Sequence, residues 1–384
     1  MKQNIAIVRG KFLNKYEMQF YEPLVKEFSL TAFGSLTPYH DRFAFPVVKL
    51  PSPMDISCGA GSLFARPILN RLFIDAHYLF GLEEKLHGFD LVHTAETYYH
   101  YTQQCLNAKR KGYVKKVIAT VLENIPFNNE GIWGRKSFKN RSREELDHII
   151  ALTHKTKEAL LAEGADPQKI TVISHFVDTK RFKPSKTELS RRNASGRRDF
   201  TILFSGRLEE YKGVFDVLQA AHSLAHDKEL AEYALTFVFV GAGSQKDRMI
   251  DEEKRLGLSN SVIHRHVSYE DMPQEYDEAD IFIAPSKPTP TYDEQYCTAL
   301  LEAQASGLPI VTTKTGGIPE NIGEAGELVP PGDVQGMAKA LKAYILNPKI
   351  RQAFGEKARK RAVTVHDISI GASKLSALYK ELLS

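Results

Sequence analysis

Residues 281–333 read IFIAPSKPTPTYDEQYCTALLEAQASGLPIVTTKTGGIPENIGEAGELVPPGD. The first six residues form a short β-rich apolar run, the length of a strand buried on both faces. A Pro-rich stretch, 287–292, ends it. The chain then passes through Asp293, Glu294, Gln295, Tyr296, Cys297 and Thr298 into Ala299, Leu300, Leu301 and Glu302, a helix-forming run. A second β-rich run, 309–313, precedes Gly316-Gly317-Ile318-Pro319-Glu320. Strand, loop, helix and strand make the repeating unit of a parallel α/β sheet. Glu294 falls in the loop before the helix and Glu302 on its first turns. That spacing sets one carboxylate near the hydroxyls of a sugar and the other near a ribose. The helix N-terminus between them offers free N–H groups and a positive dipole end to a pyrophosphate.

The same alternation extends through the chain. Strands are expected at 5–8, 29–33, 47–50, 91–94, 117–121, 149–153 and 171–174, then at 201–204, 235–240, 281–284 and 309–313, with a weaker one at 262–263. Helices are expected at 214–226, 244–257, 298–306, 333–346 and 368–383. The polar, basic run KPSKTELSRRNASGRRD has linker composition. The expected plan is two Rossmann-like, doubly wound α/β domains facing across a cleft. Residues 1–183 form the first, 184–199 the linker and 200–367 the second, with the final helix, 368–384, packing back on the first. With 384 residues, each domain is large enough to bury its own core.

Composition excludes several classes. No apolar run approaches the 18 or so residues of a membrane span. The amino-terminal MKQN runs directly into a strand-like IAIV, which points away from a signal peptide. Cys58, Cys105 and Cys297 are odd in number and have no metal-ligand spacing, so neither a disulfide framework nor a zinc site is expected, and the cytoplasm is the expected location. Residues 1–180 hold 24 Lys+Arg against 19 Asp+Glu, and the remainder 27 against 28. The basic clusters are Lys109-Arg110-Lys111 with Lys115-Lys116, and Arg135, Lys136, Lys139, Arg141 and Arg143. They read either as a solvated surface or as a face that meets an anionic acceptor or, in peripheral contact, anionic membrane lipid. Nucleic-acid signatures are absent, and nucleic acid is not an expected partner.

A second signal is Phe204-Ser205-Gly206-Arg207-Leu208-Glu209-Glu210-Tyr211-Lys212-Gly213. A glycine at a strand end admits a ligand or backbone closely, and Arg207 and Lys212 place two cations beside it. Such cations stabilise charge gathering on a departing pyrophosphate. Gly241-Ala242-Gly243 is a further glycine turn, and it reads equally as a plain strand-to-helix connection.

Together these residues resemble the retaining family 4 glycosyltransferases of GT-B fold, also called group 1. The family carries an E-x7-E motif, a Gly-Gly-x-Pro-Glu loop and a G-R-x-x-x-x-K-G segment. The resemblance implies that Glu294 holds the donor sugar and Glu302 the ribose hydroxyls. It places Arg207 and Lys212 on the donor phosphates, with Gly206, Gly241, Cys297 and Thr298 around the nucleotide. Glu294, Arg207 and Lys212 are the residues expected to act in catalysis. Where family members often have Phe-Gly, this chain has Tyr296-Cys297 after Gln295. In the first half, Gly10 follows the first strand where the family has a glycine-rich turn. The stretch from Asp90 to Glu96 resembles D-x-x-H-x-H-E with Ala95 in place of the second His. Gly10, His93 and Glu96 are therefore candidates for the acceptor and donor-sugar side, although His93 reads equally as a satisfied strand-end histidine.

The implied reaction moves a sugar from a UDP- or GDP-type donor to a hydroxyl of a glycan, a lipid-linked acceptor or a cell-surface polysaccharide precursor. Configuration is retained, and neither a metal nor another cofactor is expected. A nucleotide-sugar 2-epimerase and a non-catalytic nucleotide-sugar-binding subunit are the alternatives.

Overall fold

The computed structural model describes residues 2–56, 74–184 and 196–384. Most of the expected linker, and Cys58, lie outside the described residues. The chain divides into two units, Met1–Phe176 with Ile368–Ser384, and Val177–Asp367.

The first unit is built on a parallel seven-stranded sheet of order β3-β2-β1-β4-β5-β6-β7. Its strands are β1 (Asn4–Gly10), β2 (Ser29–Gly34), β3 (Val47–Lys49), β4 (Phe89–Ala95), β5 (Val114–Val121), β6 (His148–Ala151) and β7 (Ile170–Val172). Alternation of side chains gives the sheet two buried faces. Ala6, Val8, Val92, Val117 and Ala119 join one core, while Ile5, Ile7, Leu91 and Ile118 join the other. The helix Ile368–Leu383 covers the second face with Ala372, Leu375, Leu378 and Tyr379. Each such side chain contributes roughly 1.5–3 kcal/mol when fully removed from water.

Most of the basic residues counted in the sequence are paired within this unit. Lys109 meets Asp147 at 2.6 Å, Arg110 meets Glu145 at 2.5 Å, and Lys115 meets Asp90 at 2.7 Å. Arg135 meets Asp75 at 3.0 Å, while Lys139 and Arg143 meet Glu163 at 2.5 and 2.9 Å. Their positive charge is largely neutralised where it stands.

The second unit has a parallel six-stranded sheet of order β10-β9-β8-β11-β12-β13. Its strands are β8 (Arg198–Ser205), β9 (Tyr233–Val240), β10 (Val262–Arg265), β11 (Ile281–Ala284), β12 (Ile310–Thr313) and β13 (Glu327–Val329). The core gathers Ile202, Phe204, Phe237, Phe239 and Ile283 with Val217, Leu218 and Leu341 from the covering helices. Strand β8 starts at Arg198, inside the expected linker. The helix Pro348–Val365 was not expected, because its buried stripe is only Gly355, Ala358 and Ala362. Small residues leave little amphipathic signal in a sequence. The three-residue β13 is likewise too short to show a period.

In each sheet the strand order reverses beside the first strand, between β1 and β4 and between β8 and β11. At such switch points the loops diverge and open a crevice at the carboxyl ends of the strands.

Candidate functional site

Both expected signals of the second unit rise from its switch point. Strand β8 leads into Gly206 and Arg207, and β11 into Pro285 and Ser286. The loops are joined where the Lys287 N–H donates to the Tyr211 carbonyl at 2.7 Å. Across this junction Lys212 Nζ lies 2.6 Å from Glu294 Oε2. Ser286 donates to the same oxygen at 2.5 Å. Burial pushes the Glu294 carboxyl up, but the Lys212 charge and hydrogen bond, with those of Ser286 and Tyr292, hold it below the ordinary carboxylate range. Glu294 is thus an ionised, 5% exposed carboxylate with a fixed orientation.

The Gly-Gly loop is packed on that residue's backbone. The Gly317 N–H donates to the Glu294 carbonyl at 2.8 Å. Gly316 stands at φ +54°, and a Cβ there would fall 1.8 Å from the same oxygen. Only glycine fits both the backbone conformation and the approach. Gly241 is explained in the same way: a Cβ would lie 2.0 Å from the Gly206 carbonyl oxygen, so the two strand-end turns can meet.

The helix Thr298–Ala305 begins between the two glutamates. Its N-cap is Cys297, at φ +56° with no side-chain capping bond. The first N–H groups of the helix are therefore left to a ligand or to solvent. A non-glycine residue at this φ is strained. Burial and the neighbouring Glu294 push the Cys297 thiol up to about 12, which makes it a poor nucleophile at neutral pH.

Glu302, also 5% exposed, has a different environment. Tyr276 donates to its Oε2 at 2.8 Å. Burial raises its carboxyl to about 7, opposed by the Tyr276 bond, the Arg181 charge and Tyr269. Arg181 stacks on the Tyr269 ring at 4.1 Å and donates to the Tyr269 carbonyl. Arg181, Tyr269, Tyr276 and Ser286 are not among the residues that the sequence motifs single out. Only Ser286, last in the IFIAPS run, carried a local signal. Arg207 is exposed, lies over the Tyr211 ring at 5.3 Å, and makes no ion pair among the described residues.

In the first unit the candidates differ in fate. Gly10, at φ +54°, closes against Tyr101, whose Cε1 would be 3.2 Å from a Cβ. His93 is fully buried, with Nε2 at 2.7 Å from the Thr120 hydroxyl and Nδ1 at 2.7 Å from that of Tyr379. Burial and the Arg9 charge push its imidazole well below the usual range, so it stays neutral. Both ring nitrogens are held inside the unit, as for a packing histidine. Glu96 stands at φ +57° and accepts the Leu122 and Glu123 N–H groups at 2.9 and 3.2 Å. Burial and the nearby Glu123 raise it to about 8.

Among the described residues no group of three or more His, Cys, Asp or Glu could hold a metal ion, and no helix is long and apolar enough to cross a membrane.

Comparison with known proteins agrees with these features. The family model described as Glycosyltransferase Family 4 matches residues 47–181, and that of the Glycosyl transferases group 1 matches 185–361. A D-inositol 3-phosphate glycosyltransferase of Salinispora arenicola is 31% identical over 236 residues, 57% of this chain and 51% of that protein. The capsular polysaccharide biosynthesis glycosyltransferase CapM of Staphylococcus aureus is 26% identical over 246 residues, 61% and 62% of the two chains. The chain spans about half the length of the first curated relatives it matches. Among solved structures, Anabaena HepE in complex with UDP and glucose is similar with a TM-score of 0.76 at 16% identity, over 99% of this chain and 100% of that one. That likeness concerns the fold. With both halves matched and the E-x7-E, Gly-Gly and Arg-Lys elements assembled at one sheet edge, the chain belongs to the family 4, group 1 glycosyltransferases of GT-B fold.

Proposed function

We propose that the protein transfers a sugar, with retention of configuration, from a nucleotide-diphosphate sugar of UDP or GDP type to a hydroxyl acceptor on a glycan or lipid-linked precursor. The observation that carries this reading is the pair of buried glutamates flanking the uncapped start of the helix Thr298–Ala305, one ionised and one held near neutrality. The UDP and glucose held by HepE support a donor of this chemistry.

Each group has a role that follows from its surroundings. Glu302 accepts the ribose hydroxyls, most strongly when ionised, and the helix N–H groups face the pyrophosphate. Arg207, which makes no ion pair among the described residues, meets the charge that grows on the departing β-phosphate. Lys212 lies close enough to share that charge while holding Glu294 for the hydroxyls of the donor sugar. As the glycosidic bond breaks, the anomeric carbon gains oxocarbenium character. The acceptor hydroxyl forms the new bond on the same face, and its proton passes to the departing phosphate oxygen.

A thermal-shift screen with UDP, GDP and ADP identifies the base, since a ligand bound only by the folded form raises its stability. Release of that nucleotide from a donor panel, with and without acceptors, then tests transfer. Glu302→Ala should weaken nucleotide binding and Glu294→Ala should chiefly lower kcat. No donor bound or turned over by the wild-type protein would end the reading.

A further inference from the structure

The carboxyl edge of the first sheet carries a side-chain cluster that the sequence reading did not find. Asp75 is fully buried at its centre. His77 Nδ1 lies 3.0 Å from both of its oxygens. The His100 N–H donates to Asp75 at 3.1 Å, and Arg135 Nη2 at 3.0 Å. Burial pushes the Asp75 carboxyl up, but the His77 and Arg135 contacts outweigh it and keep Asp75 ionised. An ionised carboxylate only accepts, so His77 donates from Nδ1 and leaves Nε2 as the ring's open hydrogen-bonding position. That nitrogen is buried and has no hydrogen-bond partner among the described residues.

A buried polar atom without a partner is costly and calls for an explanation. Its surroundings are those of a binding site. Phe12, in the turn after Gly10, has its ring centre 4.9 Å from that of His77, and Tyr99, just beyond β4, lies at 4.3 Å. Both rings are part-exposed. The Tyr101 N–H holds the His77 carbonyl at 2.9 Å, and the same Tyr101 ring closes on Gly10. The cluster is thereby fixed to the ends of both switch-point strands, β1 and β4. Glu96 Oε2, on the adjoining turn, is a second buried atom without a partner among the described residues.

We propose that His77, held by Asp75, hydrogen-bonds a hydroxyl of the acceptor through Nε2, and that the acceptor presents an uncharged sugar or polyol at this place. This rests on the glycosyl-transfer reading above. The uncharged class follows from the local charges. Arg135 and Lys139 are tied to Asp75 and Glu163, and Asp75 is itself ionised. A phosphate or carboxylate on the acceptor would find no unpaired cation among these groups and would be repelled. The apolar faces of Phe12 and Tyr99 suit the C–H face of a sugar ring.

The test uses the full chain with the donor and acceptor found by the panel. His77→Ala should raise the acceptor KM about tenfold, the effect of one buried hydrogen bond. Nucleotide affinity, read by thermal shift, should stay within twofold. His77→Gln, whose amide can donate or accept, should recover most of the loss. An acceptor lacking phosphate should be preferred over its phosphorylated counterpart. An unchanged acceptor KM in His77→Ala, with transfer by the wild type intact, overturns the inference alone. So does equal or better use of the phosphorylated acceptor. Should His77→Ala not fold, His77→Gln decides: a KM within threefold of wild type supports the inference, and a loss as large as tenfold overturns it. Absence of any nucleotide-sugar turnover by the wild type overturns the glycosyl-transfer reading as well.

Discussion

Acidifying a solution of this protein from pH 8 to pH 6 should weaken its hold on the donor about tenfold through Glu302 alone. In the unliganded protein the Glu302 carboxyl is raised from 4.5 to about 7 by burial. At pH 8 it is about nine-tenths ionised and at pH 6 about one-tenth. Ribose hydroxyls donate to the ionised form, so binding selects it and returns the group toward its ordinary value. The apparent affinity therefore scales with the ionised fraction across this window. Folding follows the same linkage. The folded protein keeps a proton that the unfolded chain has lost above pH 4.5. Stability from this group is thus fully present below pH 4.5 and falls until the pH passes 7, by roughly 3 kcal/mol. Titration calorimetry with the intact nucleotide-sugar is the assay, because its pyrophosphate diester has no proton to lose in this range. Near pH 6, binding should release close to one proton to buffer. Glu302→Gln, which cannot ionise, should show a flat profile. An equal slope in wild type and Glu302→Gln, or no slope in either, would refute the assignment.

Lys212→Met removes the buried cation that faces Glu294, and should cost about 3–5 kcal/mol of unfolding free energy by denaturant titration at neutral pH. Part of that loss should return when Glu294→Gln is added. Gly316→Ala puts a methyl group against the Glu294 carbonyl, so it should displace that residue and lower kcat more than a hundredfold while the protein still folds. Cys297→Gly relieves the strain of φ +56° and should leave stability unchanged or raise it by up to ~1 kcal/mol, whereas Cys297→Val should lower it; melting curves separate the two.

How much of the site could be read in advance depended on whether its parts were neighbours in sequence. Glu294, Glu302 and the Gly-Gly loop lie on one strand–helix–strand unit, so spacing and local propensity were enough to place them together. Arg207 and Lys212 were found as a strand-end pair, but their link to Glu294 was not visible. Lys212 and Glu294 are 82 residues apart, and they meet because β8 and β11 are adjacent in the sheet. Strand order is set by crossover packing and leaves no mark in local periodicity.

The sequence by itself determined the alternating α/β plan, most strand positions and the family, since apolar period, glycine turns and motif spacing are local properties. Tertiary structure decided everything that depends on burial. It kept Glu294 ionised and raised the Glu302 carboxyl to about 7, although the two residues are chemically identical. It sealed His93 between Thr120 and Tyr379, neutralised most of the basic clusters with acidic partners, and set His77 on Asp75 at the edge of the first sheet. The physical reason is common to all of these: a side chain's charge state follows from what folding packs around it, and that surrounding comes from distant parts of the chain.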